Sequence, residues 1–341
     1  MDTKQISTVI IILVLSALVV AYLKLTTVSN AIHKPTTIGI SKTPLSAPFI
    51  IAEHIGAFEE NDLNVELIMC FGGVECSNLL LENHVNYATF SESVLMFKSF
   101  EYKDLALITS FASSTNDIKL LTKKRSGIES IDKLPGKKVG VIKKSASEYY
   151  LDLLLQVNDI DLEKVEKISS TTQVIINHLM QGNVDAISTW EPYGFMAKNR
   201  INEEVKNIGI IGVYKLYFLL VSKEIHIEKS DQEVMKIIKS LHHSINWMDK
   251  NPHLTMKILS QKLNTTVEEI SWSWDDYNFR LNLTNSLLFT LLLDLIFQCV
   301  FLLIQSEANW ALKQNYVEGQ IPNYRKIFKE NYINSYFDGL D

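Results

Sequence analysis

Residues 36–49 read TTIGISKTPLSAPF, and this order of strand, polar loop and helix determines the predicted fold class. Thr36–Ile40 is a short β-rich run, the loop after it holds small polar residues, and a helix is predicted to begin near Phe49. The order recurs along the chain, where β-rich runs predict strands near Val85–Thr89 and at Leu63–Met69, Leu105–Phe111, Ile118–Leu121, Lys137–Ile142, Val184–Ser188, Asn207–Val213 and Leu216–Ser222. The alternation of strands and helical stretches predicts an α/β protein.

The helical stretches carry their own local signals. A capping box is predicted at Thr265–Glu268, and Asn251-Pro252 provides a cap and a first-turn proline for another helix. An apolar stripe at helical spacing predicts a helix with one buried face, formed by Val234, Ile237, Ile238, Leu241, Ile245 and Met248. We interpret this stripe as core and not as a binding site.

The chain of 341 residues is long enough for two domains and an appendage. The runs Lys119–Lys124 and Leu216–Ser222 are predicted to be the strands by which the chain enters and leaves a second lobe, and two crossings imply a hinge. We predict that lobe one comprises residues 36–118 plus 224–341 and that lobe two comprises residues 119–223.

An uncharged apolar run, Ile6–Leu23, lies between Lys4 and Lys24. At 18 residues it is near the lower limit for a membrane-spanning helix, so residues 1–31 are predicted to be a signal anchor or a signal peptide. An uncleaved anchor through residues 6–23 is favoured, because Ser29 and Ala31 lie well downstream for a cleavage site. The rest of the chain is then expected on the periplasmic side of the inner membrane, or secreted to the periplasm if the signal is cleaved.

A second apolar stretch, Leu287–Ile304, is also long enough to span a bilayer. Asp294 near its middle would be costly in lipid, and a span here would separate residues 305–341 from the rest of lobe one. We therefore predict a buried or partner-facing helix.

Composition and motifs exclude several classes of function. With 33 Lys+Arg against 39 Asp+Glu, the net charge of -6 does not favour nucleic acid as a partner. No zinc, nucleotide or catalytic motif is found, so no metal site, cofactor or catalytic residue is predicted. Cys70 and Cys76 are close enough to be bridged in an oxidising compartment, but we predict buried free thiols.

Small polar loops at the ends of the strands are the predicted ligand site, because open α/β sheets bind ligands there. The amides and hydroxyls before the helix that contains Tyr149 form a natural pocket for an anion, held by Ser145 and Ser147. Trp190 or Tyr193 would stack on the ligand. The full set of candidate ligand-binding residues is Thr43, Ser46, Gly72, Gly73, Ser91, Glu92, Asn116, Ser145, Ser147, Trp190, Glu191 and Tyr193.

Those loops also carry a family resemblance. SKTPLSAPFIIAEHIGAFEENDLNVEL at 41–67, the Gly72-Gly73 turn, ATFSES at 88–93, KKVGVIKKSASEYYLDLLL at 137–155 and GNVDAISTWEPY at 182–193 resemble the substrate-binding proteins of ABC importers for nitrate, taurine, alkanesulfonates and the thiamine pyrimidine precursor. The resemblance covers about residues 36–225, with WALKQ and IPNYRKIF near the end. It implies a two-lobed type II periplasmic-binding-protein fold that closes on a small-molecule ligand and passes it to an ABC permease in the membrane.

The sequence departs from the family pattern in two turns and in the apolar stretch Leu287–Ile304, which looks like extra length inside a helix that the family keeps shorter. Lys144 stands where the family often has glycine, and the usual Gly-x-Val-Asp is here Asn83-His84-Val85-Asn86. The two turns leave the predicted fold intact and bear on the identity of the ligand, whereas the third departure bears on the C-terminal part of the chain.

Three functions follow from the residues and the resemblance. The leading hypothesis is an extracytoplasmic solute-binding protein, not an enzyme, that captures a small anionic or heteroaromatic nutrient such as a sulfonate, taurine, nitrate or the pyrimidine precursor. The resemblance also extends to the synthases of that precursor, enzymes whose cysteine-rich motif is missing here. The third hypothesis is a membrane-anchored ligand sensor, which keeps the binding fold and signals through its anchor.

Overall fold

The computed structural model describes Ser16 and residues 34–282, 290–329, 331–332 and 335–336, with the backbone alone at 282 and 290–299. The chain divides into two units, Met1–Pro35 and Thr36–Asp341, and the described strands all belong to the second. The predicted signal or anchor at residues 1–31 lies outside the described residues, apart from Ser16.

The described strands form two mixed sheets. In chain order they are β1 (Thr36–Ser41), β2 (Val65–Cys70), β3 (Tyr87–Ser91), β4 (Leu105–Ser114), β5 (Ile118–Lys123), β6 (Lys138–Val141), β7 (Glu166–Ser169), β8 (Ala186–Trp190), β9 (Val205–Asn207), β10 (Leu216–Lys223) and β11 (Tyr277–Asn282). The first sheet has the order β11-β4-β10-β3-β1-β2, and the second has the order β7-β6-β8-β5-β9.

Both sheets combine parallel and antiparallel pairs. In the first sheet, β1 is parallel to β2 and β3, whereas β10 is antiparallel to β3 and β4. In the second, β6 is parallel to β7 and β8, whereas β5 is antiparallel to β8 and β9. In the first sheet, the carboxyl ends of β1, β2 and β3 therefore lie at the same edge as the amino end of β10. In the second sheet, the carboxyl ends of β6, β7 and β8 lie at the same edge as the amino end of β5.

Helices follow most of the parallel strands. They are α1 (Ala47–His54), α2 (Gly73–Leu81), α3 (Glu92–Glu101), α4 (Ala146–Val157), α5 (Ile175–Gln181), α6 (Tyr193–Arg200), α7 (Glu224–Ile227), α8 (Asp231–Lys250), α9 (Pro252–Leu263), α10 (Val267–Trp274), α11 (Thr290–Lys313) and α12 (Tyr324–Ile327). The α/β class predicted from the sequence is confirmed by this arrangement.

The chain moves between the sheets in residues 115–117 and 208–215. The strand β10 pairs in the first sheet, so the return crossing comes before Leu216 and not within the run Leu216–Ser222. The predicted strand Asn207–Val213 is wrong after Asn207, since the observed strand is β9. The lobe boundaries at 118/119 and 223/224 stay a prediction.

The α8 helix is amphipathic, as its sequence predicts. Its predicted stripe is buried, and Ile237, Ile238 and Leu241 are wholly inaccessible to solvent. At the start of α10, the Thr266 side chain accepts a hydrogen bond from the Glu269 amide at 3.1 Å, which caps the helix. Apolar spacing and a local cap therefore position these helices.

The second apolar stretch is helical over its described part, which belongs to α11. From Val300 onward one face of α11 is buried, with Ile304 and Ala308 inaccessible to solvent and Leu302 exposed. Among the described residues, no helix combines the length and apolar character that crossing a membrane requires. Residues 287–289 of this stretch and residues 6–23, apart from Ser16, lie outside that description.

A disulfide joins Cys70 at the end of β2 to Cys76 in α2, so the prediction of free thiols was wrong. The Cα atoms of the two cysteines lie 5.4 Å apart, and both side chains are buried. The turn at Phe71–Gly73 brings the two cysteines, six residues apart in sequence, within bonding distance. The sequence spacing alone does not determine this distance.

Reducing this disulfide is expected to destabilise the protein by about 2 kcal/mol, because the cross-link restricts the unfolded chain over a short loop. Thermal unfolding of the wild-type protein with and without a thiol reductant, and of Cys76→Ser, measures the loss. A reduced protein as stable as the oxidised one would show that the cross-link contributes nothing to folding.

Candidate functional site

The loops that follow β1, β2, β3, β6 and β8 border one cleft, whose deeper part we call the inner pocket. It has a volume of about 70 Å³ and is lined from both sheets by Ser41, Thr43, Leu45, Gly72, Gly73, Val74, Ser91, Ser93, Val94, Asp117, Ile118, Ser145, Ala146, Trp190, Glu191, Leu216 and Phe218. A wider outer pocket of about 530 Å³ shares Thr43, Gly72 and Trp190 with it and extends to Tyr193 and Arg200. The cleft thus lies where strand ends of two sheets meet, as expected for a ligand site.

The glycine pair forms the tight turn between β2 and α2. Gly72 has a φ of +103°, and a Cβ atom on Gly73 would lie 2.8 Å from the Phe90 Cβ atom. Neither position accepts a larger residue without backbone movement. The turn therefore brings backbone, without side chains, to the wall of the inner pocket.

The α4 helix points its amino-terminal end at the inner pocket. Ser145 is its N-cap and accepts a hydrogen bond from the Ser147 amide at 3.2 Å, while the Ser145 hydroxyl donates to the Ile142 carbonyl at 2.6 Å. Ser147 is fully buried and does not line the pocket: its hydroxyl donates to the Ser188 carbonyl at 2.8 Å and accepts from the Ile142 amide. Of the two predicted serines, only Ser145 is placed to meet a ligand.

Trp190 is the aromatic wall of the cleft. It is half-buried at the end of β8, lines both pockets, and packs edge to face with Tyr193 at a centroid distance of 6.4 Å. The peptide bond between Glu191 and Pro192 is cis. Tyr193 lines only the outer pocket, whereas Trp190 lines both.

Glu191 lines the inner pocket, but both of its carboxylate oxygens already have partners. Trp272 Nε1 donates to Oε1 at 2.9 Å, and the Phe195 amide donates to Oε2 at 2.9 Å. Burial raises the pKa of this carboxyl, while these two hydrogen bonds act in the opposite direction. Glu191 therefore fixes the turn between β8 and α6.

Several other predicted residues take supporting positions. The Ser46 hydroxyl donates to the Ser41 carbonyl at 2.7 Å, and Asn116 donates to both Asp276 oxygens at 3.0 Å. Neither residue lines the inner pocket. Glu92 is fully buried in α3, where it accepts hydrogen bonds from Tyr214 Oη and the Tyr217 amide.

Thr43 and Ser91 do line the inner pocket. Thr43 Oγ1 is buried and has no hydrogen-bond partner among the described residues, whereas Ser91 Oγ lies 2.9 Å from Ser93 Oγ. A ligand atom in the pocket would satisfy the Thr43 hydroxyl. That any of the predicted residues binds a ligand stays a prediction.

Sequence reasoning missed Asp117, which lies just before β5 and is 3% exposed in the inner pocket. Tyr277 Oη donates to its Oδ1 at 3.0 Å. Burial, then the charge of Glu191, raises the pKa of Asp117 to about 7. Leu216 and Phe218 at the start of β10 were also missed and form an apolar wall.

Lys119 places a positive charge close to these carboxyls. Its Nζ lies 3.4 Å from Asp276 Oδ2 and 3.9 Å from Glu191 Oε1, and it donates a hydrogen bond to the Asn116 carbonyl. It does not line the inner pocket. Within the described part of the chain, no group of three His, Cys, Asp or Glu side chains is arranged to hold a metal ion.

Comparison with protein families decides the affiliation of this chain. The model of the NMT1/THI5-like family matches residues 43–254, which include every pocket loop described above. The chain belongs to the NMT1/THI5-like family. The resemblance found in the strand-end loops is confirmed. No curated protein matches the sequence.

Solved structures share the fold of this family member at low sequence identity. The periplasmic aliphatic sulphonate-binding protein SsuA of Escherichia coli has a TM-score of 0.73 at 16% identity, over 88% of this chain and 99% of its own. The alkanesulfonate-binding SsuA of Xanthomonas axonopodis pv. citri, bound to MOPS, has a TM-score of 0.69 at 13% identity, over 86% and 98%. The chain therefore has a two-lobed α/β fold of the periplasmic-binding-protein type.

The same fold also occurs in an enzyme. The desulfurization enzyme DszB has a TM-score of 0.62 at 12% identity, over 89% of this chain and 99% of its own. The fold by itself does not separate binding from catalysis.

In both turns that depart from the family pattern, one residue has a positive φ. Lys144 has a φ of +55° and Asn83 has a φ of +61°, both in the left-handed region that glycine adopts most easily. Asparagine tolerates this region better than most residues. The backbone turns are thus kept although their residues differ, and Lys144 adds a cation beside the start of α4.

Proposed function

We propose that this member of the NMT1/THI5-like family is an extracytoplasmic solute-binding protein that delivers a small anionic or heteroaromatic solute to an ABC permease. The observation that carries the proposal is the inner pocket, which is lined by strand-end loops of both sheets. The chain passes twice between the two sheets, and a solute that contacts both sheets can hold them in a closed arrangement. In such a protein, the closed form is the one that presents the solute to the permease.

The pocket chemistry supports a ligand with a polar end and a flat or aliphatic body. The amino-terminal ends of α2 and α4 face the pocket at Gly73 and Ala146, where the first amides have no partner within the helix. Such amides favour an anionic group. Trp190 and Phe218 offer apolar surface for the rest of the solute.

Binding is supported over catalysis by the structural similarity, since the TM-scores of the two sulfonate-binding structures, 0.73 and 0.69, are higher than the 0.62 of the desulfurization enzyme. The apolar run at residues 6–23 supports a location outside the cytoplasmic membrane, anchored to it or released after cleavage. The disulfide supports the same location, because such bonds persist in oxidising compartments.

A thermal-shift panel of taurine, ethanesulfonate, nitrate, bicarbonate and 4-amino-2-methylpyrimidine tests the proposal. A solute present at 100 times its Kd adds about 2.7 kcal/mol to stability and raises the unfolding temperature by several degrees. Sodium chloride at equal ionic strength is the control. If no solute raises the unfolding temperature above that control, the pocket does not bind this class of ligand.

A further inference from the structure

We propose that Asp117 recognises an N–H donor on the solute, so that the ligand carries an amino group as well as its anionic or aromatic part. This inference rests on the proposed function and narrows its substrate class. It distinguishes an aminosulfonate from a plain sulfonate, and an aminopyrimidine from an unsubstituted ring.

The first support is the hydrogen-bonding state of Asp117. Its Oδ1 accepts from Tyr277 Oη at 3.0 Å, whereas the described residues provide no hydrogen bond to Oδ2. The side chain is 97% buried and lines the inner pocket. Oδ2 therefore offers an open acceptor position on a carboxyl that lines the pocket, and a ligand N–H could donate a hydrogen bond to it.

The second support is the charge of the pocket wall. The described lining of the inner pocket contains two carboxyls, Asp117 and Glu191, and no lysine or arginine. Lys119 lies behind that wall, where it contacts Asp276 and Glu191. An ammonium or amino group beside Asp117 would therefore meet a carboxyl and no cation in the described pocket lining, whereas an anionic group there would be repelled.

The two ends of such a solute have separate places in the pocket. The amides at Gly73 and Ala146 accommodate an anionic group, and Glu191 has both oxygens occupied by Trp272 and Phe195. This leaves Asp117 as the carboxyl with an open acceptor.

Matched pairs of probes test the inference on the unmodified protein. The pairs are taurine with ethanesulfonate and 4-amino-2-methylpyrimidine with 2-methylpyrimidine, each differing only in the amino group. By calorimetric titration we expect at least one aminated probe to bind about 10- to 100-fold more tightly than its partner, which is the range for a hydrogen bond to a charged group. Equal or tighter binding of the unaminated partner in each pair that binds would overturn the inference.

The variant Asp117→Asn should remove this preference, mainly by weakening the aminated probe. Asp276→Asn is the matched control, since it removes a nearby carboxyl that does not line the pocket, and it should keep the preference. A preference retained in Asp117→Asn would overturn the assignment. Should that variant not fold, the matched pairs on the wild-type protein still decide.

The failures of the two proposals are distinguishable. Binding of nitrate, bicarbonate or ethanesulfonate with no binding of either aminated probe would refute the role of Asp117 while retaining a solute-binding protein. Absence of binding by every probe counts against the solute-binding function and the inference together.

Discussion

Replacing Trp190 with alanine is expected to weaken solute binding by about 2–4 kcal/mol, or roughly 30- to 1000-fold in Kd. The ring lines both pockets and is half-buried, so its exposed surface is available to a ligand. The loss of folding stability should be smaller than the roughly 3–5 kcal/mol typical of a fully buried aromatic residue. Calorimetric titration and urea unfolding of the same preparation measure the two effects.

Trp274→Ala is the matched control for this substitution. Trp274 is also half-buried, packs on Phe279 at a centroid distance of 5.1 Å, and lines neither pocket. It should lower stability and leave affinity unchanged. A folded Trp190→Ala protein with unaltered affinity would remove Trp190 from the site, and a large stability loss alone would make it a core residue.

The central strands and the edge strand β2 could be predicted from the sequence, whereas the three other edge strands were missed or misplaced. β3, β8 and β10 are buried along nearly their whole length, and their residues are apolar or small and β-rich. β7 and β11 were missed, and β9 was misplaced; all three lie at sheet edges. Edge strands are short and often polar, so hydrophobic pattern signals them weakly.

The pocket loops after parallel strands were predicted, but the amino ends of antiparallel strands were not. Asp117 precedes β5 and Leu216 begins β10, and both strands run opposite to their neighbours. Local periodicity does not show the direction of a strand. If β5 and β10 were parallel to their neighbours, their amino ends would lie at the opposite edge of the sheet from the pocket. The position of Ser147 also depends on distant contacts: its hydroxyl donates to the Ser188 carbonyl in β8, a contact that local sequence does not show.

A buried network of two carboxyls and one phenol joins α3, α11 and the second crossing. Tyr214 Oη donates to Glu92 Oε1 and lies 3.1 Å from Glu307 Oε1, and all three side chains are buried. A phenol has one hydrogen to donate, so the second carboxyl must supply the proton of the other hydrogen bond. Glu92 also accepts from the Tyr217 amide, which assigns the extra proton to Glu307.

The electrostatics agree with a protonated Glu307. Burial, then the charge of Glu92, raises the pKa of Glu307 well above its ordinary value, and burial raises that of Glu92 to about 7. A carboxyl whose pKa is higher in the folded state binds more protons there than in the unfolded chain. Stability from this pair is therefore present at low pH and is lost as the pH rises from about 4.5 through 7.

Glu307→Gln is accordingly expected to stabilise the protein on the order of 2 kcal/mol at pH 8, with little effect at pH 5. The amide can donate to Tyr214 Oη as the protonated carboxyl does, but it has no proton to lose. Urea unfolding of wild type and variant across this pH range measures the difference, which should grow with pH.

Glu148→Gln provides the contrast, because Glu148 is an equally buried carboxylate that has cationic and donor partners. Its oxygens accept from Tyr316 Oη and the Lys144 amide, and Oε1 lies 3.8 Å from Lys167 Nζ. Neutralising it removes a compensated charge, so this variant should lose stability at pH 8. A Glu307→Gln protein that is less stable than wild type at pH 8 would show that Glu307 is ionised in the folded state, and the proton would then have to be assigned to Glu92.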